Sequence, residues 1–358
     1  MALDTNKFVN ELIVKKYTHL CVVPCSFAKN LINAVINNEQ IEYLPCASEA
    51  VACSVAAGLK MSGKQPIVIV QSSGITNMGS CITSLLKPYG VTFPMMVSWR
   101  SYKDGDSEIQ HQHLATKLPD LIAAYGYEHT ILDNDNLDNA IAQIEECDKS
   151  NTICLLPKET FLAVKLEVEH KIDMSTYTPR SEFLINMNSM FKDSDTLFIG
   201  TTGNTAREMY SFMPDTNNFY MAGNMGGALS VGLGASMADK KVVVCGGDAE
   251  FVMHMGGLTT AGRYKDDIDL IYILFDNESN KSTGGQNTYQ SHIDYINMAK
   301  NSNIDTVDEV ITSIDSFSRT MNEMKSKSGL RFICVKCGFD EETPRPPLDI
   351  VKVSKFND

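Results

Sequence analysis

Two consecutive α/β domains, each a parallel sheet with helices on both faces, are what this sequence predicts, and three observations predict them. Compact apolar runs such as QPIVIVQ alternate with helix-patterned segments such as SEAVACSVAAGLKMSG, the signature of buried parallel strands and their crossover helices. A polar, alternating stretch at 159–180 interrupts that rhythm and ends in Pro-Arg. A second strand-helix alternation of similar extent follows. At 358 residues the chain is long for one domain and comfortable for two. The boundaries expected are 1–165, a linker at 166–180, and 181–358.

In the first half THLCVV reads as a strand, and SFAKNLINAVINN as a helix capped by Ser26. IEYLP is a short strand, and the Ala-rich helix after Ser48 ends at Gly63. QPIVIVQ is a strand, and TNMGSCITSLLKPYG a helix expected to halt near Pro88. FPMMVSW is a strand, SEIQHQH a polar loop, NLDNAIAQIEECDK a helix and NTICLLP the last strand. The second half repeats the plan with helix 181–192, strand TLFIGTTG, helix NTAREMYSFM, strand NFYMAG and helix GGALSVGLGASMA. Strand KKVVVCGGD, helix EFVMHMGGLTTAGRY and strand IDLIYILFDNES come next, and SFSRTMNEMKSKSGLRFICVKC supplies the closing helix and strand.

The formal charge of −13 argues against a nucleic-acid partner, because no Lys/Arg-rich face stands out to neutralise phosphates. A local cationic pocket for a small anionic substrate remains compatible with it. No basic-then-apolar leader and no apolar run of membrane-spanning length occur, so a cytoplasmic protein without membrane partners is expected. Most of the ten cysteines sit in apolar surroundings and read as free buried thiols. CVKC at 334–337 has a metal-like spacing but no second pair, and reads as two strand cysteines rather than a zinc site.

Two strand ends carry the chemistry. Asp248 follows Gly246-Gly247 at the end of one parallel strand, and Asp276-Asn277 ends a later one. The carboxyl edge of such a sheet is its ligand-binding edge. A carboxylate, an amide oxygen and a nearby backbone carbonyl make a hard oxygen set for Mg²⁺, and the glycines with the following helix N-terminus suit a diphosphate. Alone, Asp248 reads better as an ordinary turn or helix-cap aspartate, and it is the second strand end that shifts the balance.

GDA, then 26 residues, then DN resembles the diphosphate and Mg²⁺ motif of thiamin diphosphate enzymes. With VVPCSFAKNL, SEAVACSVAAGLKMSGKQPIVIVQSSGITN, VSWR, SEIQHQH, GTTGNTARE and FYMAGNMGGALSVGLG, the chain looks like the phosphonopyruvate and sulfopyruvate decarboxylase group, nearest its phosphonopyruvate branch. The resemblance implies a pyrimidine-binding first domain and a diphosphate-binding second one. It implies non-oxidative decarboxylation of phosphonopyruvate to phosphonoacetaldehyde and CO₂ through a thiamin diphosphate ylide. Glu49 matches the glutamate at N1′ of the aminopyrimidine, the carbonyl of Gly223 the acceptor for its amino group, and Met225 the apolar wedge that bends the cofactor. Thr202, Gly203, Asn204, Gly247, Ala249 and Glu250 would approach the diphosphate, Gly74 the aminopyrimidine, and Asp248, Asn277 and the Ser279 carbonyl the Mg²⁺.

For the anionic substrate the candidates are Arg100, His111, His113, Cys25, Ser26, Ser73 and Lys281. Arg100 offers a bidentate fork at a strand end, and an extended SEIQHQH would point His111 and His113 to the same side. KSTGGQNT could close over the reacting end or form an ordinary solvated loop. Departures from the family pattern are Ala249 for a glycine, Asp276 for an asparagine, Ile109 for a proline, and Glu250, whose carboxylate must point away from a diphosphate or meet a cation. Relatives share each site between two subunits, so at least a homodimer is expected. The alternatives are sulfopyruvate decarboxylation, carboligation, and a regulatory module with a degraded site. A nicotinamide-binding dehydrogenase fits less well, because no Gly-x-Gly-x-x-Gly opens a first βα unit.

Overall fold

Apolar residues alternate across every central strand, and each strand therefore feeds two hydrophobic layers. In the computed structural model, which describes residues 2–102, 108–340, 342–344 and 353–354, the chain divides into two compact units. The first comprises Met1–Lys171 and Asn280–Asn287, the second Ile172–Ser279 and Thr288–Asp358.

The first unit holds strands β1 (His19–Val22), β2 (Glu42–Pro45), β3 (Pro66–Gln71), β4 (Met95–Ser98), β5 (Glu128–Ile131) and β6 (Thr152–Leu156). They form one parallel sheet in the order β2-β1-β3-β4-β6-β5. Leu20, Val22, Ile67, Ile69 and Met96 pack to one face with helices Thr5–Val14, Lys29–Asn38 and Leu137–Lys149. Cys21, Val68, Val70, Met95 and Val97 pack to the other with helices Glu49–Met61 and Ile109–Ala124. Each fully buried aliphatic chain of this kind contributes about 1.5–3 kcal/mol, so a sheet covered on both faces is what the apolar runs demand.

The second unit holds β7 (Leu197–Gly200), β8 (Asn217–Tyr220), β9 (Lys241–Gly247) and β10 (Asp269–Asp276), then β13 (Asp305–Thr306) and β14 (Gly329–Lys336). Between β10 and β13 lies a two-residue pair, β11 (Ser279–Asn280) with β12 (Gln286–Asn287). The large sheet runs β8-β7-β9-β10-β14-β13, also parallel. Counting each sheet's strands from one, the two orders are the same. In both, the order reverses between the first strand and the third, the crevice where open α/β sheets bind ligands. The shared architecture expected without a sequence repeat is present at the level of strand order.

Several local expectations are corrected. The helix expected from Ser26 begins at Lys29, because the Cys25 carbonyl accepts the Ala28 N–H in a turn ahead of it, and no side chain caps it. The fourth helix does halt close to Pro88, at Tyr89 ahead of Gly90 with φ 62°, but it reaches that end by way of an unanticipated π turn at Ile82–Leu86. EFVMHMGGLTTAGRY forms two helices, Asp248–Met253 and Gly257–Arg263, separated at His254–Gly256. Most of SEIQHQH is not a loop: helix Ile109–Ala124 begins within it, while Ser107 lies outside the described residues. A short helix at Tyr295–Asn301 was not anticipated.

Cys334 packs in one apolar layer of the second sheet and Cys337 in the opposite one, as a three-residue offset along a strand requires. That geometry separates the two thiols of CVKC. Among the described residues no helix is long and apolar enough to cross a membrane.

Candidate active site

In the first unit the polar groups gather at the carboxyl ends of β1, β3 and β4. Ser48 caps helix Glu49–Met61 by accepting the Val51 N–H at 3.4 Å, which places Glu49 in the first turn, where the helix dipole favours a carboxylate. Glu49 is 2% exposed, and its Oε2 accepts from Asn77 Nδ2 at 2.8 Å. Gly74, in the turn after β3, makes the room: a Cβ there would lie 2.5 Å from Glu49 Cγ and Oε1. A buried carboxylate, a neutral donor and a glycine notch therefore stand together.

Arg100 follows β4 and is buried. Its Nη1 donates to Ser26 Oγ at 3.3 Å, its Nη2 to Glu108 Oε2 at 2.9 Å, and its guanidinium lies 4.5 Å from the Phe27 ring centre. The same Glu108 oxygen stands 3.5 Å from His111 Nε2. His111 is buried, and its Nδ1 finds no hydrogen-bond partner among the described residues. His113 is exposed. An extended backbone would have put both imidazoles on one side, whereas a helix turns residues two apart by roughly 200°. Cys25 is buried beside Ser26, and Ser73 is half-buried. The hydroxyls of Ser72 and Ser98, both fully buried at neighbouring strand ends, find no partner among the described residues.

KSTGGQNT belongs largely to this unit. Its Gln286 is fully buried and donates to Asn33 Oδ1 at 2.8 Å, and Asn33 in turn donates to the Val164 carbonyl at 2.9 Å. The segment is thus anchored at Gln286, while Ser282 and Gly284 are exposed. Lys281 is half-buried within a 3₁₀ turn at Lys281–Thr283.

In the second unit the crevice lies at the ends of β7 and β9. Gly203 caps helix Asn204–Phe212 with φ 93°, a conformation that favours glycine, and Thr202 Oγ1 donates to the Ala222 carbonyl at 2.9 Å. Gly223 and Met225 are half-buried in the turn before helix Ala228–Ser236, where Asn224 and Gly226 adopt positive φ. A Cβ on Gly247 would meet nothing within 4 Å, so the turn is open beside its backbone. Asp248 starts helix Asp248–Met253, is 5% exposed, and accepts from Thr288 Oγ1 at 3.4 Å. Burial, aided by the nearby Asp276 carboxylate, pushes its pKa up to about 7.

Asn277 is buried one residue beyond β10, and its Oδ1 accepts the Ser279 N–H at 3.1 Å, bending the chain so that the residues after the strand form a tight turn. Asp276 is neutralised by Lys336, whose Nζ donates to it at 2.7 Å and also pairs with Glu278. Glu250 is buried, with one oxygen on the Tyr272 hydroxyl at 2.6 Å and the other on the Ala228 N–H at 3.2 Å. The awkward carboxylate thus meets a phenol and a helix N-terminus rather than a cation.

The Asp248 carboxylate, the Asn277 amide oxygen and the Ser279 carbonyl are oxygen donors of the kind a hard cation takes, and the Asn277 oxygen here accepts the Ser279 N–H. Among the described residues no group of three or more His, Cys, Asp or Glu could hold a metal, and this set, with its single carboxylate, is not of that kind. Sequence reasoning missed Asn77, Glu108, Tyr272 and Lys336. It also missed Arg180, at the end of the interdomain stretch, which is buried in a two-pronged pair with Glu208 at 2.7 and 2.9 Å. Only Glu108 left a local trace, lying three residues before His111.

Residues 199–335 match the thiamine pyrophosphate enzyme C-terminal TPP binding domain, and residues 6–118 match the thiamine pyrophosphate enzyme N-terminal TPP binding domain. A phosphonopyruvate decarboxylase of Streptomyces hygroscopicus is 30% identical over 297 residues, covering 77% of this chain and 73% of the relative. A second, from Streptomyces viridochromogenes, is 27% identical over 361 residues, covering 94% and 90%. A sulfopyruvate decarboxylase of Methanosarcina acetivorans is 26% identical over 292 residues, covering 74% and 73%.

Proposed function

The chain belongs to the thiamin diphosphate-dependent decarboxylases of the phosphonopyruvate/sulfopyruvate type, and from that premise we propose that it converts phosphonopyruvate to phosphonoacetaldehyde and CO₂. A 2-oxo acid decarboxylation is the reaction class. The observation that carries the reading is Glu49, a carboxylate buried in a glycine notch beside the Asn77 amide donor. Such a group can hold or move a proton at N1′ of an aminopyrimidine.

The residues present fit the cofactor: the open backbone at Gly247, the buried Asp248 carboxylate and the positive-φ turn at Gly203 support a metal-bound diphosphate. Asp248, Asn277 and the Ser279 carbonyl would hold Mg²⁺. Gly247, Ala249, the Glu250 N–H, Thr202, Gly203 and Asn204 would face the diphosphate, and Gly223 and Met225 the aminopyrimidine end. The cofactor, when bound, supplies the electron sink for loss of CO₂. On the substrate side, Arg100 and Ser26 bind the tetrahedral anion, with Cys25, Ser73 and Lys281 around it. His111, oriented by Glu108, donates to the substrate. Residues 1–165 would then be the pyrimidine domain and residues 181–358, apart from the 280–287 segment that packs in the first unit, the diphosphate domain, joined by 166–180. The active form is at least a homodimer whose sites draw on both chains.

A second reading, sulfopyruvate, is favoured by one observation: Glu108 already offsets the charge of Arg100, which suits a monoanionic sulfonate. Steady-state turnover of both acids, with the aldehyde detected directly, decides. Higher kcat/KM on phosphonopyruvate supports the proposal, preference for sulfopyruvate replaces it, and no turnover of either refutes both.

A further inference from the structure

Glu250 stands two residues past Asp248 in the expected diphosphate turn, and its carboxylate reaches from the Gly247 backbone of that turn to two groups outside it. One oxygen accepts the N–H of Ala228, the first residue of helix Ala228–Ser236, at 3.2 Å. That N–H is one of the helix's intrinsically unpaired donors, and Gly227 before it has no side chain with which to cap it. A carboxylate at this end also answers the helix dipole. The other oxygen accepts the Tyr272 hydroxyl at 2.6 Å, from β10 beside β9. The arrangement has been given space: a Cβ on Gly246 would lie 2.1 Å from the Tyr272 hydroxyl oxygen and 3.0 Å from a Glu250 oxygen.

The consequence lies in what Ala228 is attached to. The turn directly before it carries Gly223 and Met225, is shaped by Asn224 at φ 58° and Gly226 at φ 89°, and is closed by the Gly227 N–H on the Asn224 carbonyl at 3.0 Å. A shift at the start of the helix moves that turn as a body. We infer that Glu250 is a positioning residue that sets the spacing between the Gly247–Asp248 turn and the Gly223–Met225 turn, and so holds one cofactor at its diphosphate and its aminopyrimidine ends together. The inference rests on the proposed reading that thiamin diphosphate spans both turns. A carboxylate at 250 is then not a defect in the motif but a strut across it.

The test compares two ligands on the full-length chain by calorimetry with Mg²⁺: thiamin diphosphate, which needs both turns, and inorganic pyrophosphate, which needs only one. In Glu250→Ala the dissociation constant for thiamin diphosphate should rise about 10-fold or more while that for pyrophosphate stays within about 3-fold, the cost of one lost charge-assisted bond. Glu250→Gln, which keeps an acceptor for Ala228, should recover most of the loss. Tyr272→Phe, which removes only the hydroxyl, should shift the same ratio by about 3-fold and carries the test if the alanine variant does not fold. Equal weakening of both ligands, or no change in either, overturns the inference and leaves the decarboxylase reading standing. A wild-type chain that binds thiamin diphosphate but not pyrophosphate also overturns it. A wild-type chain that binds neither overturns the reading and the inference together.

Discussion

The two units order their six strands alike and collect polar residues at the same point of that order, yet what they collect differs in kind. At the first crevice stand Glu49 with a neutral amide donor, and an Arg100–Glu108–His111 cluster whose members can exchange protons or anions. At the second stand Asp248 and Asn277 beside an open backbone turn, with Asp276 and Glu250 each tied to a named partner. Strand order decides where a site forms, and the residues after each strand decide what it does. On the proposed reading the first unit would serve proton and substrate chemistry, and the second would hold a charged cofactor.

The largest effect tests that division of labour. Glu49→Gln should lower turnover by about 10²–10⁴-fold, the usual worth of a positioned acid-base group, while thiamin diphosphate affinity changes far less. Equal loss of affinity and turnover, read by calorimetry beside steady-state kinetics, would erase the contrast between the units.

The next concerns stability. Arg180 and Glu208 are both essentially buried, so Arg180→Ala should cost about 3–5 kcal/mol in urea unfolding by stranding a buried carboxylate. The more exposed pair Lys60–Asp148 in the first unit should cost about 1 kcal/mol or less when Lys60 is truncated. Similar losses for the two would show that burial does not distinguish them.

Gly74→Ala sharpens the first crevice alone. The new methyl would overlap Cγ and the carboxylate of the buried Glu49 side chain, which must shift, so stability should fall by about 1–3 kcal/mol. Displacement of the carboxylate should still cost about 10²-fold in turnover, as an ångström of misplacement does. Unchanged kinetics would mean that the notch is incidental.

The smallest effect separates the thiols. The Cys53 thiol donates to Cys81 and, against the opposing effect of burial and with help from Ser54, brings Cys81 down to about 7. In the second unit burial pushes Cys245 and Cys334 up to about 12. Alkylation of Cys81, followed by mass spectrometry, should therefore rise through a midpoint near pH 7, and Cys53→Ala should move that midpoint upward. Second-unit thiols should stay unreacted throughout, and their modification at neutral pH would contradict the contrast.

What the chain disclosed in advance follows from the range of each interaction. Apolar runs and their alternation with helix-patterned segments are local patterns, and the elements they announce are present. Helix Ile109–Ala124 escaped because its first turn, Ile-Gln-His-Gln, lacks a strong apolar stripe and a side-chain cap, so packing rather than pattern makes it helical. The partners of Glu250 lie 22 residues away on either side, Lys336 lies 60 residues from Asp276, and Gln286 lies 253 residues from Asn33. No window of sequence joins such pairs. The misplaced cap at Ser26 had a different cause: a Ser after Pro fits a helix start, but here its hydroxyl receives Arg100 instead.

The most direct test is a calorimetric titration of the full-length chain with thiamin diphosphate, in Mg²⁺ and then in excess chelator, repeated on Asp248→Ala. Saturable binding that appears with Mg²⁺ and is lost both on chelation and in the variant is the result expected. Binding that ignores the metal, or survives loss of the Asp248 carboxylate, would contradict it.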